Sequence, residues 1–395
     1  QQQPLTGIRV LDLSGPMGVY CGKLMADMGA DVVKVEPPGG DSMRRIGPFL
    51  NHRSNYSASN SESSLHWLHF NTNKRSITLD IATADGGAIL RRLACRADVL
   101  LETFPPGYME SLGLGFASLE AENPRLIYTS VTPFGQTGPH KDFKASDLVG
   151  LAMGGYLYVT GWPHTPPTRL WGSQAYHTAS NRAYIAILIA IYHRLATGMG
   201  QQVDVSMQEA VAATTEHVNT AYIYEGASAV RCGFRHGGQV VVTWRCQDGY
   251  VSITTNTQQA WNDLRAWMDR DGMAGDLMQD KYNEQFILRG EHSARIEELI
   301  QNWALLHTRQ EITDWGQARH HPWGPVATPD ELLQNPQLLE RGFFVEDHCP
   351  DCHSAMLYPG APYKLSRSPW KLKHSAPTVG QHNVEVYSEE MGLSA

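Results

Sequence analysis

From Leu148 to Val203 the chain contains neither aspartate nor glutamate. Within that stretch "GSQAYHTASNRAYIAILIAIYHRLATGMGQQV", starting at Gly172, reads as a turn, a long apolar helix and the start of a strand. Polar residues crowd the helix start, but no carboxylate is among them. A site there has no anionic nucleophile of its own.

Other absences narrow the function further. No basic run is longer than a pair such as Arg44-Arg45, and the formal charge is -8, so the footprint of a nucleic-acid or anionic-membrane partner is missing. The longest apolar run, Ala183 to Tyr192, falls far short of the roughly 20 residues that a membrane-spanning helix needs. The N-terminal "QQQPLTGIRV" has no charged segment followed by an apolar one, so the expected location is the cytoplasm. Of the six cysteines, Cys21, Cys95, Cys232 and Cys246 are isolated, which fits a reducing compartment and no disulfide scaffold.

What remains is globular: hydrophobic residues are 42% and charged residues 18% of 395, enough for two cores. "GIRVLDLSGPMGVYCGKLMADMGADVVKVE" is a β-α-β unit whose helix stops at Gly29. "RSITLDI", "DVLLETF" and "PRLIYTSVTPFG" continue the alternation of strands with helices, which predicts a parallel sheet covered on both faces. The pattern changes after Tyr224. A hairpin around Asp248-Gly249 and three helical segments predict a smaller α+β domain over 225–330, and 331–395 is expected to return to the large domain of residues 1–224.

Three stretches carry candidate chemistry. The first turn, Ser14-Gly15-Pro16-Met17-Gly18-Val19-Tyr20, is not G-x-G-x-x-G, and Pro16 and Tyr20 would crowd a pyrophosphate, which argues against a dinucleotide. "FNTNKRSITLD" places Asn73, Lys74 and Arg75 just before a strand, where they can meet an anion or simply be solvated, and Lys144 lies in a long Gly/Pro-punctuated loop. "HCPDCH" sets Cys349 and Cys352 at the spacing of a zinc knuckle. His348 and His353 flank them, Cys232, His236 and Cys246 are more distant candidates for the missing ligands, and the bland alternative is a polar hairpin tip.

Together "VLDLSGPMGVYCGKLMADMGADVVKVEPPGGDSMRRIGP", "FNTNKRSITLD", "LLETFPPGYMESLGLGFASL", "TPFGQTGP" and "HRLATGMGQQVDVSMQEA" resemble the class III CoA-transferases, the family of formyl-CoA and carnitine CoA-transferases. The resemblance implies an α/β fold: a Rossmann-like parallel-sheet large domain, a smaller α+β domain, and an interlocked dimer. It implies a coenzyme A thioester as substrate and acyl transfer between CoA and a carboxylic acid. The family's nucleophile is an aspartate whose carboxylate forms a mixed anhydride and then an enzyme thioester. Counted back from Thr197-Gly198, its place falls on Tyr176, and the small residue four positions later is Ser180 where glycine is usual. A phenol with a pKa of about 10 cannot run an anhydride relay at neutral pH.

Other positions depart as well: Thr103 replaces asparagine before Phe104, Ser111 replaces an arginine that helps hold CoA phosphate, and Pro37 stands at a basic position. Arg44, Asn73, Lys74, Arg75, Phe104 and Lys144 are retained as candidate CoA contacts. The racemase branch needs a histidine and an aspartate where Ser146 and Tyr176 stand, so epimerisation is disfavoured. The chain resembles an Asp-lacking subunit of the heteromeric succinyl-CoA:benzylsuccinate type, which implies an Asp-bearing paralogue as partner. Two alternatives stay open: a self-sufficient transferase using Asp147, and a CoA-ester-binding scaffold. Tyr156, Tyr158, Trp162 and Trp171 hint at an aromatic or bulky substrate.

Overall fold

A computed structural model of the chain describes residues 2–50, 63–233, 235–236, 239–284, 292–347 and 356–393. Two compact units emerge: Gln1–Tyr156, Leu170–Thr220 and Pro336–Ala395 form one, and Leu157–Arg169 with Ala221–Asn335 form the other. The second unit therefore takes a short piece from the middle of the segment that sequence reading assigns to the large domain.

The larger unit is built on six parallel strands, β1 (Arg9–Leu13), β2 (Asp31–Glu36), β3 (Arg75–Thr78), β4 (Val99–Glu102), β5 (Ile127–Thr132) and β6 (Gln201–Ser206), in the order β3-β2-β1-β4-β5-β6. β4 and β5 are buried at every residue, as strands covered on both faces must be. The order in which strands are added reverses between β1 and β4, which makes their carboxyl ends the topological switch point where open α/β sheets bind ligands. The parallel sheet expected from the alternating pattern is thus present.

Helices α1 (Val19–Asp27), α2 (Leu65–Phe70), α3 (Ala84–Ala94), α4 (Tyr108–Ser111), α5 (Phe116–Glu120) and α6 (Asp147–Met153) follow in order. The short α7 (Tyr156–Val159) precedes α8 (Gln174–Thr197), which runs for 24 residues and is stopped by Gly198 at φ 79°. The buried side of α8 is mostly small, with Ala175, Ala179, Ser180, Ala183 and Ala190, so it packs closely against its neighbours. α9 (Met207–Ala212) lies in the larger unit, whereas most of α7 and of α10 (Val218–Glu225) belongs to the smaller one.

The smaller unit has an antiparallel sheet, β7 (Arg235–His236), β8 (Gln239–Cys246), β9 (Gly249–Thr254) and β10 (Gly324–Pro325), in the order β10-β9-β8-β7. Cys246 pairs with Gly249 around the predicted turn. α11 (Gln258–Arg270), α12 (Ser293–Ala304) and α13 (Arg309–Gln317) enclose a tryptophan-rich core of Trp244, Trp261, Trp267, Trp303 and Trp323, and α14 (Pro329–Leu333) follows.

After α15 (Pro336–Glu340) the chain forms the hairpin β11 (Phe344–Asp347) and β12 (Met356–Pro359), then a tail that covers the edge strand β3. The Ser76 amide donates to Nδ1 of His382 (3.0 Å) and the Thr78 amide to Oδ1 of Asn383 (2.9 Å). Side chains thus satisfy the open edge of the sheet, which would otherwise invite another strand.

Candidate functional site

A pocket of about 320 Å³ opens at the switch point. Its walls come from the ends of four strands: Leu13 and Gly15 after β1, Val35 and Pro37 at β2, Leu79 to Ile81 after β3, and Thr103 with Phe104 after β4. Phe104 packs against Tyr108 at a centroid distance of 4.9 Å. Asp41 and Asp80 also line the pocket, and no lysine or arginine is among its described lining residues.

The floor is held by a buried ion network. Asp12, fully buried, accepts from Nζ of Lys74 (2.9 Å), from the Ser14 amide (3.0 Å) and from Oγ of Ser14 (2.6 Å). Lys34 lies 3.1 Å from Asp41 and donates to the Ser14 carbonyl, which ties the first turn to the β2 side of the pocket. Burial pushes the Asp12 carboxyl up, but Lys34 and Lys74 together pull it below its ordinary value. Gly22 is needed where α1 crosses this pair, because a Cβ there would lie 2.2 Å from Oδ2 of Asp12.

The candidate CoA contacts are placed as follows. Arg44 is buried, forks onto Glu36 (2.7 and 2.8 Å) and lies 3.6 Å over the Trp67 ring. Lys74 is spent on Asp12, the Val19 carbonyl and Asn71. Arg75 bridges Asp31, Glu385 and Glu390, and Asn73 bonds Asp27 and the backbone of the C-terminal segment. These four retained residues hold the fold together from inside. Phe104 alone of the six lines the pocket, and Lys144 is exposed in its loop with no ion-pair partner among the described residues. That loop is anchored where the Gln136 amide donates to the Asp204 carboxylate (3.0 Å).

At the head of α8 the Tyr176 amide, one of the helix's unsatisfied first-turn donors, finds Oδ1 of Asp147 at 3.1 Å. Burial and the Asp147 charge raise the Tyr176 phenol above its ordinary value, so it stays protonated at neutral pH. Beside it His177 packs against Tyr20 (5.2 Å) and Phe70 (5.5 Å), and Phe70 also meets His66 and His69 (4.8 and 4.6 Å). Burial above all, helped by the charge of Lys23, pushes His69 down to about 4, and burial lowers His66 and His177 as well. Neutral phenol and imidazole therefore fill this position. Ser180 Oγ donates to the Met17 carbonyl (2.8 Å) and links α8 to the turn above the pocket.

Sequence reading did not single out Glu102. It is buried behind Phe104, whose amide it accepts at 2.6 Å, and burial pushes its carboxyl up to about 7. Its place at the end of a wholly apolar strand was the available signal. Tyr156 and Trp171 belong to the larger unit, and Tyr158 and Trp162 to the smaller; Trp171 is 92% exposed. His348, Cys349, Cys352 and His353 lie outside the described residues. Among those described, no group of three or more metal-binding side chains forms, and Cys246 is a buried free cysteine. No described helix is long and apolar enough to cross a membrane.

A doubly wound parallel sheet with a pocket at its switch point defines the class of protein. The chain belongs to CoA-transferase family III, whose family model matches residues 5–383. It is 32% identical to the succinyl-CoA:(R)-benzylsuccinate CoA-transferase subunit BbsE of Thauera aromatica, over 98% of this chain and 94% of that one. It is 34% identical to the succinyl-CoA–D-citramalate CoA-transferase of Chloroflexus aurantiacus (99% and 95% covered), and 31% identical to the beta subunit of that organism's succinyl-CoA–L-malate CoA-transferase (99% and 95%). Among solved structures, a CAIB/BAIF family protein from Brucella suis superposes with a TM-score of 0.87 at 27% identity, covering 98% of this chain and all of the other.

Proposed function

We propose that this chain is the non-nucleophilic subunit of a heteromeric family III CoA-transferase that moves CoA from a thioester such as succinyl-CoA to a carboxylic acid. The observation that carries the reading is the head of α8. Tyr176, which the count from Thr197-Gly198 sets at the nucleophile's place, is a protonated phenol among neutral imidazoles. Each intermediate of the relay is a derivative of one carboxylate, so a phenol cannot take the part. The carboxylate within reach, Asp147, already accepts the Tyr176 amide.

Further support comes from the pocket, whose lining acids Asp41 and Asp80 suit the phosphates of CoA poorly. Phe104 as an apolar wall and Lys144 as a phosphate partner are the CoA contacts this chain retains in the proposal. BbsE and the L-malate enzymes are named as subunits, and their names supply dicarboxylic acids as the acceptor class. An Asp-bearing paralogue has a surface to meet: Ile185, Ile189, Tyr192 and Leu195 form an apolar stripe on α8, with Tyr192 77% exposed. A stripe of this kind marks an association surface, and an interlocked assembly would cover it.

The test is reconstitution. Purified chain mixed with succinyl-CoA and an acceptor acid gives no exchange until the Asp-bearing paralogue is added. Turnover by the pure chain, or a hydroxylamine-labile acyl group on Asp147, overturns the reading in favour of a self-sufficient enzyme. Absence of turnover with every paralogue, with CoA still bound, favours a scaffold.

A further inference from the structure

The C-terminal part of the larger unit encloses a second recess, of about 530 Å³, whose lining includes Arg341, Glu346, Tyr363, Lys364, Trp370 and Lys371. It shares no lining residue with the pocket at the strand ends. Its size falls in the range of small-molecule sites.

The wall that carries Trp370 and Lys371 is pinned from the main sheet. Asn73 adopts a left-handed conformation at φ 63° and donates to the Lys371 carbonyl (3.1 Å) while accepting from the amides of Lys373 (2.7 Å) and His374 (3.2 Å). The hydroxyl of Tyr363 reaches Sδ of Met28 at 3.4 Å. Asn73, in the motif first read as an anion site, thus shapes this recess instead. Gly360 supplies the other side: a Cβ there would lie 2.8 Å from the Phe343 carbonyl and 3.1 Å from the Trp370 ring. Only a bare backbone lets the indole settle where it does.

The polar groups in the recess are unmatched. Nε1 of Trp370 is buried and has no hydrogen-bond partner among the described residues. Arg341, Lys364 and Lys371 make no ion pair with a described residue, although Glu346 lines the same recess. Three cations against one carboxylate leave an excess of two positive charges, and Trp370 and Tyr363 add aromatic surface.

We propose that this recess binds a dianion with a flat hydrocarbon body, either an aryl dicarboxylate or an aryl phosphate monoester. The ring packs on Trp370 and Tyr363, and the anionic groups meet Arg341, Lys364 and Lys371. The proposal is independent of where the CoA chemistry takes place.

Calorimetric titration of the full chain with phenylsuccinate and, separately, phenyl phosphate tests it. At least one probe binds at one site per chain with a Kd below about 1 mM at low salt. Arg341→Gln combined with Lys371→Gln weakens it by about tenfold or more, Trp370→Phe weakens it by roughly threefold, and Gly360→Leu abolishes it. Phe104→Ala, in the other pocket, leaves the affinity unchanged. The double substitution changes two exposed side chains, so an unaltered melting temperature shows that the fold survives. Whichever probe binds identifies the anion chemistry. The idea is overturned if neither probe binds by about 10 mM, or if the double variant binds as the wild type does.

Discussion

The amide of Tyr176 donates to the carboxylate of Asp147 across 3.1 Å, so the first turn of α6 caps the first turn of α8. A carboxylate at a helix start satisfies an orphan donor and complements the helix dipole. Asp147→Ala therefore lowers stability by about 1 kcal/mol and Asp147→Asn by less. Denaturant melts of the two variants check this, and an undiminished stability of Asp147→Ala would mean that the cap contributes nothing.

Replacing the phenol by an acid reverses the deficiency on which the functional proposal rests. Tyr176→Asp, incubated with succinyl-CoA, acquires a hydroxylamine-sensitive acyl adduct visible by intact-mass spectrometry, whereas wild-type chain acquires none. An adduct on the wild type would remove the basis of the proposal.

Lys74 and Asp12 form a fully buried pair, and removing one partner strands a charge. Lys74→Met lowers stability by about 3–5 kcal/mol, and Asp12→Asn added to it recovers part of the loss. Chemical denaturation of the single and double variants is the measurement. No recovery in the double variant would show that packing, not charge, governs the site.

Glu102 gives a pH signature. Its folded-state value of about 7 lies above the ordinary 4.5, so the folded protein binds the proton more tightly than the unfolded chain. Its stabilising contribution is complete below about pH 4.5 and is lost as pH rises through about 7. Glu102→Gln, which stays neutral and still accepts the Phe104 amide, melts higher than wild type at about pH 8 and shows no such gain at about pH 4. Paired thermal scans at the two pH values decide, and a constant difference would rule out ionisation as the cause.

In the proposed assembly the exposed apolar stripe on α8 is the surface that meets the partner. Ile189→Glu with Leu195→Glu weakens association with the Asp-bearing subunit by about a hundredfold or more while leaving the melting temperature of the isolated chain unchanged, because both residues are exposed. Sedimentation of mixtures reads the first effect and calorimetric melting the second. Undiminished assembly would place the interface elsewhere.

Much of the larger unit was legible from periodicity. Its strands appear as apolar runs broken by helical segments, and Asp248-Gly249 marks the hairpin of the smaller unit where it forms. The interior of the site was not. Arg44, Lys74 and Arg75 read as cations near loops, but their acceptors, Glu36, Asp12, Asp31 and Glu390, lie on other strands or at the far end of the chain. No local pattern pairs charges across such separations.

The order of residues by itself determined the alternation of strand and helix, the missing carboxylate at the head of α8 and the family to which the chain belongs, because these follow from short-range periodicity and side-chain chemistry. Tertiary structure decided which retained cations are spent on buried acids, which residues line the pocket at the switch point, and that Asn73 shapes a separate recess. Those outcomes depend on long-range packing, where burial makes an unpaired charge costly and so dictates the partner each side chain must find.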